Sequence, residues 1–139
     1  MQIKLNRIDD KYLFQCTNSS GQSILLDNTS LPDAKGVSPM ESVLMAVAAC
    51  SGIDIISILK KQRQQISSFS AEVDGERVSV DEAKPFKKIS VKFFLTGDIE
   101  ASKAKKAADL SFEKYCSVTK TFQPNVSIEY KIFVNNEEV

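Results

Sequence analysis

The sequence predicts a mixed fold in which strands gather around one long apolar helix. Three observations carry this. Residues 38–61 run from a helix-start signal to a cluster of cations with almost no polar face between them. Several stretches before and after alternate polar and apolar residues with a period of two, the pattern of half-buried strands. Residues 100–115 carry an alanine-rich stripe at helical spacing, which predicts a second, amphipathic helix.

The long helix has recognisable ends. Ser38 suits the N-cap, Pro39 the first helical position, and Glu41 completes a capping box. Lys60, Lys61 and Arg63 stand where the C-terminal end of the helix dipole favours cations. Between them Val43, Leu44, Val47, Ala48, Ile53, Ile55, Ile56, Ile58 and Leu59 fall on every side of a 3.6-residue wheel, so burial all round is expected. Met45, Ala46, Ala48 and Ala49 keep the middle slim, and Cys50 sits there beside Ser51 and Gly52. The helix reads as one that carries a thiol into a sheltered site.

Ahead of it, residues 2–8, 11–17 and 22–27 read as a three-stranded antiparallel meander with turns at Asp9-Asp10 and Asn18-Ser19-Ser20-Gly21. Cys16 falls on the face of Tyr12 and Phe14, a small core residue in its second strand. Residues 28–37 form a loop, and 62–68 a polar exit from the helix. Residues 69–78 come next as a strand with Gly75 as a bulge position, 81–85 as a hairpin loop, and 89–96 as the strongest strand, ended by Gly97-Asp98. The second helix spans 100–115, with Ala101, Ala104, Ala107, Ala108, Phe112 and Tyr115 inward and Lys103, Lys105 and Lys106 keeping its outer surface wet. Residues 126–134 form a last strand.

Composition narrows the function classes. A chain of 139 residues is read as a single domain, 1–139. Eighteen Lys plus Arg balance eighteen Asp plus Glu, leaving no global field for nucleic acid or anionic membrane, so neither is expected as a partner. Ser51, Gly52, Asp54 and Ser57 make the helix too polar for an expected bilayer span. The start Met1-Gln2-Ile3-Lys4-Leu5 lacks a signal-peptide layout, so a cytoplasmic protein is expected. Three cysteines, an odd number, do not form a secreted disulfide framework. The absence of histidine excludes Ser-His-Asp and Cys-His mechanisms and zinc sites built with histidine. No cofactor and no metal is expected, and any chemistry rests on thiols, carboxylates, lysines, arginines and tyrosines.

Cys116 is flanked by Ser117 and Thr119. A short helical turn beginning there would aim free amide N–H groups at its sulfur and favour thiolate, as would Lys114 or Lys120. Cys50 has Asp54 one turn away, which opposes ionisation. Pattern alone does not pair these cysteines, and two buried structural thiols are the reading it favours.

The stretch Gly36-Val37-Ser38-Pro39-Met40-Glu41-Ser42-Val43-Leu44-Met45-Ala46-Val47-Ala48-Ala49-Cys50, with Glu113-Lys114-Tyr115-Cys116-Ser117-Val118, strongly resembles the OsmC/organic hydroperoxide resistance (Ohr) family. The order of elements matches as well, so the resemblance covers nearly the whole chain. It implies an α+β, OsmC-like fold with antiparallel sheets around a long central helix, made as an intertwined homodimer with two sites at the subunit interface. It also implies a thiol-dependent peroxidase acting in oxidative stress defence. In that role Cys50 attacks an organic hydroperoxide, becomes a sulfenic acid, and is resolved by Cys116 as a disulfide that a dithiol or lipoyl-type reductant reopens.

One departure matters. The peroxidase branches usually carry a Pro-Glu pair whose glutamate holds an arginine against the reactive sulfur, whereas here Met40 follows Pro39. Glu41 is one position later, about 100° around the helix, and its capping role accounts for it. Arg63 lies about 20 Å along the helix from Cys50 by helical rise, which leaves Arg7 and Arg77. Arg7 and Glu41 are carried as supporting candidates beside the catalytic pair Cys50 and Cys116. The alternative, from another class, is a non-enzymatic dimer that binds a small lipophilic ligand at its interface.

Overall fold

A computed structural model describes residues 1–139. The chain divides into two compact units, residues 1–43 and 44–139, and the long helix crosses the boundary between them.

In the first unit β1 (Ile3–Arg7), β2 (Phe14–Asn18) and β3 (Ser23–Leu26) form the expected antiparallel meander in the order β1-β2-β3. Leu5, Cys16 and Ile24 lie side by side across it. Short polar side chains close its turns: Asp9 accepts the amides of Lys11 and Leu13, and Asn18 those of Ser20 and Gln22. Buried Asp27 accepts the Asn28 and Lys35 amides and so pins the loop after β3. The unit has little core of its own. Leu13 is its buried hydrophobic residue, and every residue of β1 is exposed, Ile3 and Leu5 among them. Three strands without a covered apolar face are marginal in water.

The helix α1 (Pro39–Lys61) starts at the expected capping box. The Ser38 amide donates to Glu41 Oε2 at 2.7 Å and the Glu41 amide to Ser38 Oγ at 3.1 Å. The helix is not buried all round, contrary to expectation. One row, Val47, Ser51, Ile55 and Leu59 with neighbouring Gly52, is buried, while the opposite row, Met45, Ala49, Ile53 and Ser57, is exposed. Ile53 is 69% accessible, because the elements of a single chain cover only one side of the helix. By length and apolar composition alone α1 would pass as a membrane span, contrary to the expectation that its few polar residues rule this out. Two of those polar breaks, Ser51 and Gly52, lie on the buried row. Gly52 makes the close approach foreseen for the slim centre, since a Cβ there would stand 3.1 Å from the Phe69 ring.

The second unit is built on a four-stranded sheet, β4 (Gln65–Arg77), β5 (Phe86–Asp98), β6 (Ser127–Val134) and β7 (Glu137–Glu138), in chain order. Ile89, Val91, Phe93 and Leu95 of β5 alternate into the core. The antiparallel expectation holds for every ladder except β5–β6, which is parallel with Phe93 beside Ile132. Residues 99–126 supply the long helical crossover that a parallel pair needs. The polar exit at 62–68 is shorter than expected, with β4 beginning at Gln65. The irregularities of the β4–β5 hairpin fall at Ile66/Ser68 and Glu76/Arg77, not at Gly75, which pairs regularly with Ile89. Gly75 instead makes room, since a Cβ there would lie 2.3 Å from a Phe86 ring carbon. Nor does Gly97 end β5: its φ of +138° carries the strand on, where a Cβ would meet the Gln65 carbonyl oxygen at 2.0 Å.

Within the crossover, α2 (Ala101–Leu110) buries Ala104, Ala107 and Ala108 completely. The last turn expected of this helix is wider than α: Ser111–Tyr115 form a π-helical turn, and the Cys116 amide donates to the Ser111 carbonyl five residues back at 2.8 Å. Phe112 anchors that turn, stacked on Tyr130 with centroids 4.6 Å apart and edge-on to Phe93 at 6.1 Å. A short helix α3 (Ser117–Phe122) comes after it.

Candidate functional site

Two elements deliver the two cysteines of the second unit to one place. On α1, Cys50 and Asp54 are four residues apart and share a face. The π-helical turn then ends the crossover helix so that Cys116, extended at φ −68° and ψ 101°, becomes the N-cap of α3. The sulfurs of Cys50 and Cys116 and a carboxylate oxygen of Asp54 all lie within 4.8 Å of one another. All three cysteines of the chain are free thiols. Cys16 lies in β2 of the first unit, between Leu5 and Ile24.

Buried hydroxyls hold the cluster in place. Ser51 Oγ donates to Cys116 Sγ at 3.3 Å. Ser111 Oγ donates to Asp54 Oδ2 at 3.1 Å, with the Ser51 carbonyl a more distant acceptor at 3.5 Å. Thr119 Oγ1 donates to the Cys116 carbonyl at 2.9 Å, fixing the first turn of α3. Cys116 is fully buried and Cys50 half-buried, so an incoming molecule meets Cys50 first.

The two thiols differ in protonation. Burial pushes the Cys50 thiol above its ordinary pKa; the Val118 amide, the next largest influence, opposes this, and the neighbouring Cys116 sulfur and the Asp54 charge add to the net rise. Burial also raises Cys116, but there the Ser51 hydroxyl, the Thr119 amide and the Cys50 S–H together outweigh it, and the net shift is downward. The Thr119 amide acts from the first turn of α3 without closing a full side-chain cap. Of the two sulfurs Cys116 is the one on which negative charge is favoured, with the Cys50 S–H among its donors. This matches the expected influence of a helix start on Cys116 and of Asp54 on Cys50.

Arg7 and Glu41 are engaged in local structure. The Arg7 guanidinium donates to the carbonyls of Lys11 (2.7 Å) and Asp10, closing the β1–β2 turn. Glu41 is held by the cap, which lowers its pKa through the Ser38 amide and hydroxyl. Arg77 donates to the Lys84 carbonyl at 2.6 Å in the β4–β5 hairpin. The site residues that sequence reasoning passed over are Ser111, as partner of Asp54, and Ser51, as donor to Cys116. The available signal was a serine interrupting the apolar row of α1 and another five residues before Cys116. Beside the cluster lies a pocket of about 390 Å³ lined by Asp54, Ser57, Ile58, Lys61, Leu110 and Tyr115.

The chain has known relatives. The model of the OsmC-like protein family matches residues 32–131. Protein YhfA of Escherichia coli K12 is 40% identical over 114 residues, which is 81% of this chain and 83% of that protein. Among solved structures, a hypothetical protein from Aquifex aeolicus VF5 superposes with a TM-score of 0.80 at 29% identity, covering 96% of each chain. The organic hydroperoxide resistance protein OhrB of Bacillus subtilis shares the fold, with a TM-score of 0.65 at 18% identity over 96% of this chain and 98% of that one. The family match spans both cysteine-bearing segments of the second unit, and the chain therefore belongs to the OsmC-like family.

Proposed function

We propose that this protein is a thiol-dependent peroxidase that reduces organic hydroperoxides, with Cys50 as the attacking sulfur and Cys116 as the resolving one. The observation that carries this is the Cys50–Cys116 pair, two free thiols within 4.8 Å, one half-exposed and one fully buried. The half-exposed sulfur can meet a substrate, and the buried one can meet only its neighbour.

The protonation pattern supplies a route. A proton passes from the Cys50 S–H to the Cys116 thiolate that accepts it, leaving the thiolate on the accessible sulfur. That thiolate attacks the terminal peroxide oxygen, the O–O bond breaks, and Cys50 becomes a sulfenic acid while the alkoxide takes a solvent proton to leave as alcohol. The Cys116 thiol then attacks the sulfenic sulfur, expelling water and forming the disulfide. An external dithiol, of the lipoyl type, restores both thiols by exchange. The Ser51 hydroxyl and Thr119 amide hold negative charge on Cys116, and the Val118 amide favours it on Cys50 once the proton has moved.

The same reading makes the protein one functional domain, working as a cytoplasmic homodimer. The exposed apolar row of α1 and the thinly cored first meander supply the surface for a second copy. The pocket beside Asp54, with Ile58, Leu110 and Tyr115 in its lining, suits an apolar tail, so bulky hydroperoxides are the better substrates.

The test is a peroxide-consumption assay with a dithiol on wild type, Cys50→Ser and Cys116→Ser. Loss of the nucleophile should lower turnover by on the order of 10³-fold or more, and one equivalent of hydroperoxide should join Cys50 to Cys116 and leave Cys16 reduced. A Cys50→Ser protein with wild-type turnover, or a disulfide containing Cys16, would sink the reading.

A further inference from the structure

We propose that the reduced cluster is also a binding site for a thiophilic divalent cation, Zn2+ above all, with Cys50 Sγ, Asp54 carboxylate and Cys116 Sγ as its three protein ligands and water as the fourth. The absence of histidine excludes zinc sites that need it, but a two-thiolate, one-carboxylate set needs none. Such binding does not depend on peroxidase activity. It needs three donors in place, not a peroxide.

The geometry is close to what the ion requires. With Zn–S near 2.3 Å and Zn–O near 2.0 Å, the edges of a tetrahedron measure about 3.5–3.8 Å. The three donors lie within 4.8 Å of one another, so side-chain rotation of about 1 Å closes them around a metal. Cys50 and Asp54, four residues apart on α1, approach from one rigid helix. Cys116 is fixed by the π-helical turn on one side and by α3 on the other.

Around these three the supporting contacts of a metal site are already present. Ser111 Oγ holds Asp54 Oδ2 at 3.1 Å, which leaves the other carboxylate oxygen free to bind, and Ser51 Oγ holds Cys116 Sγ at 3.3 Å. Such outer hydrogen bonds orient ligands and tune their donor strength. Cys116 closes the inner end of the cluster, fully buried, while Cys50 and Asp54 are half-buried and leave a way in. Binding takes both sulfurs as thiolates, and a Cys50–Cys116 disulfide would remove both sulfur ligands. The cation and the oxidant therefore compete for the same pair.

The experiment titrates Co2+ and then Zn2+ into the fully reduced, chelator-washed protein. One Co2+ per chain should give a sulfur-to-cobalt charge-transfer band of the strength of two thiolates and the intense visible bands of tetrahedral cobalt, and one equivalent of Zn2+ should bleach them. Zn2+ competition with a chromophoric chelator should show binding weakened at least about a hundredfold in Cys50→Ser and in Cys116→Ser, and about tenfold to a hundredfold in Ser111→Ala, the usual range for lost outer contacts. Cys16→Ser should leave it unchanged. A charge-transfer band of one thiolate or none in wild type, which needs no variant to fold, overturns the proposal. So does equal Zn2+ affinity in wild type and Cys50→Ser. Peroxidase turnover measured on the same metal-free samples reports separately on the catalytic reading.

Discussion

At the scale of the residue, Ser51 and Cys116 show how one buried hydroxyl sets the character of a thiol. Burial by itself works against a thiolate at Cys116, and the donors aimed at its sulfur reverse the balance. A thiolate titration followed by ultraviolet absorbance, in reduced and chelated Cys16→Ser protein, should show one midpoint below the ordinary cysteine value of 9.0 and one above it. Cys116→Ser should remove the lower midpoint. Ser51→Ala should raise it, because the hydroxyl is the largest of the effects that lower it. Unchanged midpoints in Ser51→Ala would mean that the hydroxyl does not bond to the charged sulfur. From pattern alone the two cysteines read as structural thiols, and only the motifs that resemble a known family singled them out. The serines were not singled out, because only the folded chain reveals that positions 51 and 111 meet.

At the scale of the element, the strands and helices were legible from periodicity and capping, and the errors have physical causes. Gly75 and Gly97 read as a bulge and a stop because glycine weakens strands in general. In the fold, one makes room for the Phe86 ring and the other carries β5 through a positive φ against the Gln65 carbonyl. Gly97→Ala combines strain and clash, and chemical denaturation should show a loss of at least about 2 kcal/mol. Ser38→Ala removes the α1 cap and should cost about 1 kcal/mol. The outer face of the crossover gives a pH prediction. The Tyr130 hydroxyl and the Lys105 ammonium hold the Asp109 carboxyl below its ordinary 3.8. A carboxyl depressed in the folded state contributes stability above its unfolded pKa and loses it as pH falls through the folded one. Unfolding midpoints measured from pH 5 to pH 2 should therefore fall less steeply in Asp109→Asn than in wild type. The effect is small, because the group is largely exposed and screened.

At the scale of the whole molecule, the long helix is apolar on every side, and a single chain buries only one row of it. The proposed homodimer would cover the remainder with a second copy. Sedimentation at micromolar concentration should find a dimer. Ile53→Asp, on the exposed row, should shift it towards monomer, whereas a wild-type monomer would refute the dimer. The parallel β5–β6 ladder could not be read from periodicity, because alternation reports which face is buried and not which way a neighbouring strand runs.

The crossover that this ladder requires is also the part of the site that is made last. Ser51, beside Cys50, and Cys116 are 65 residues apart in the chain, and at about 5–20 residues per second on the ribosome the first is made some ~3–13 s before the second. The amides and the second sulfur that settle the proton between them arrive together in one late event, the folding of the crossover, while the Ser51 hydroxyl waits for them on α1. Until then the nascent chain carries Cys50 without its partner sulfur, open to whatever disulfide or electrophile it meets.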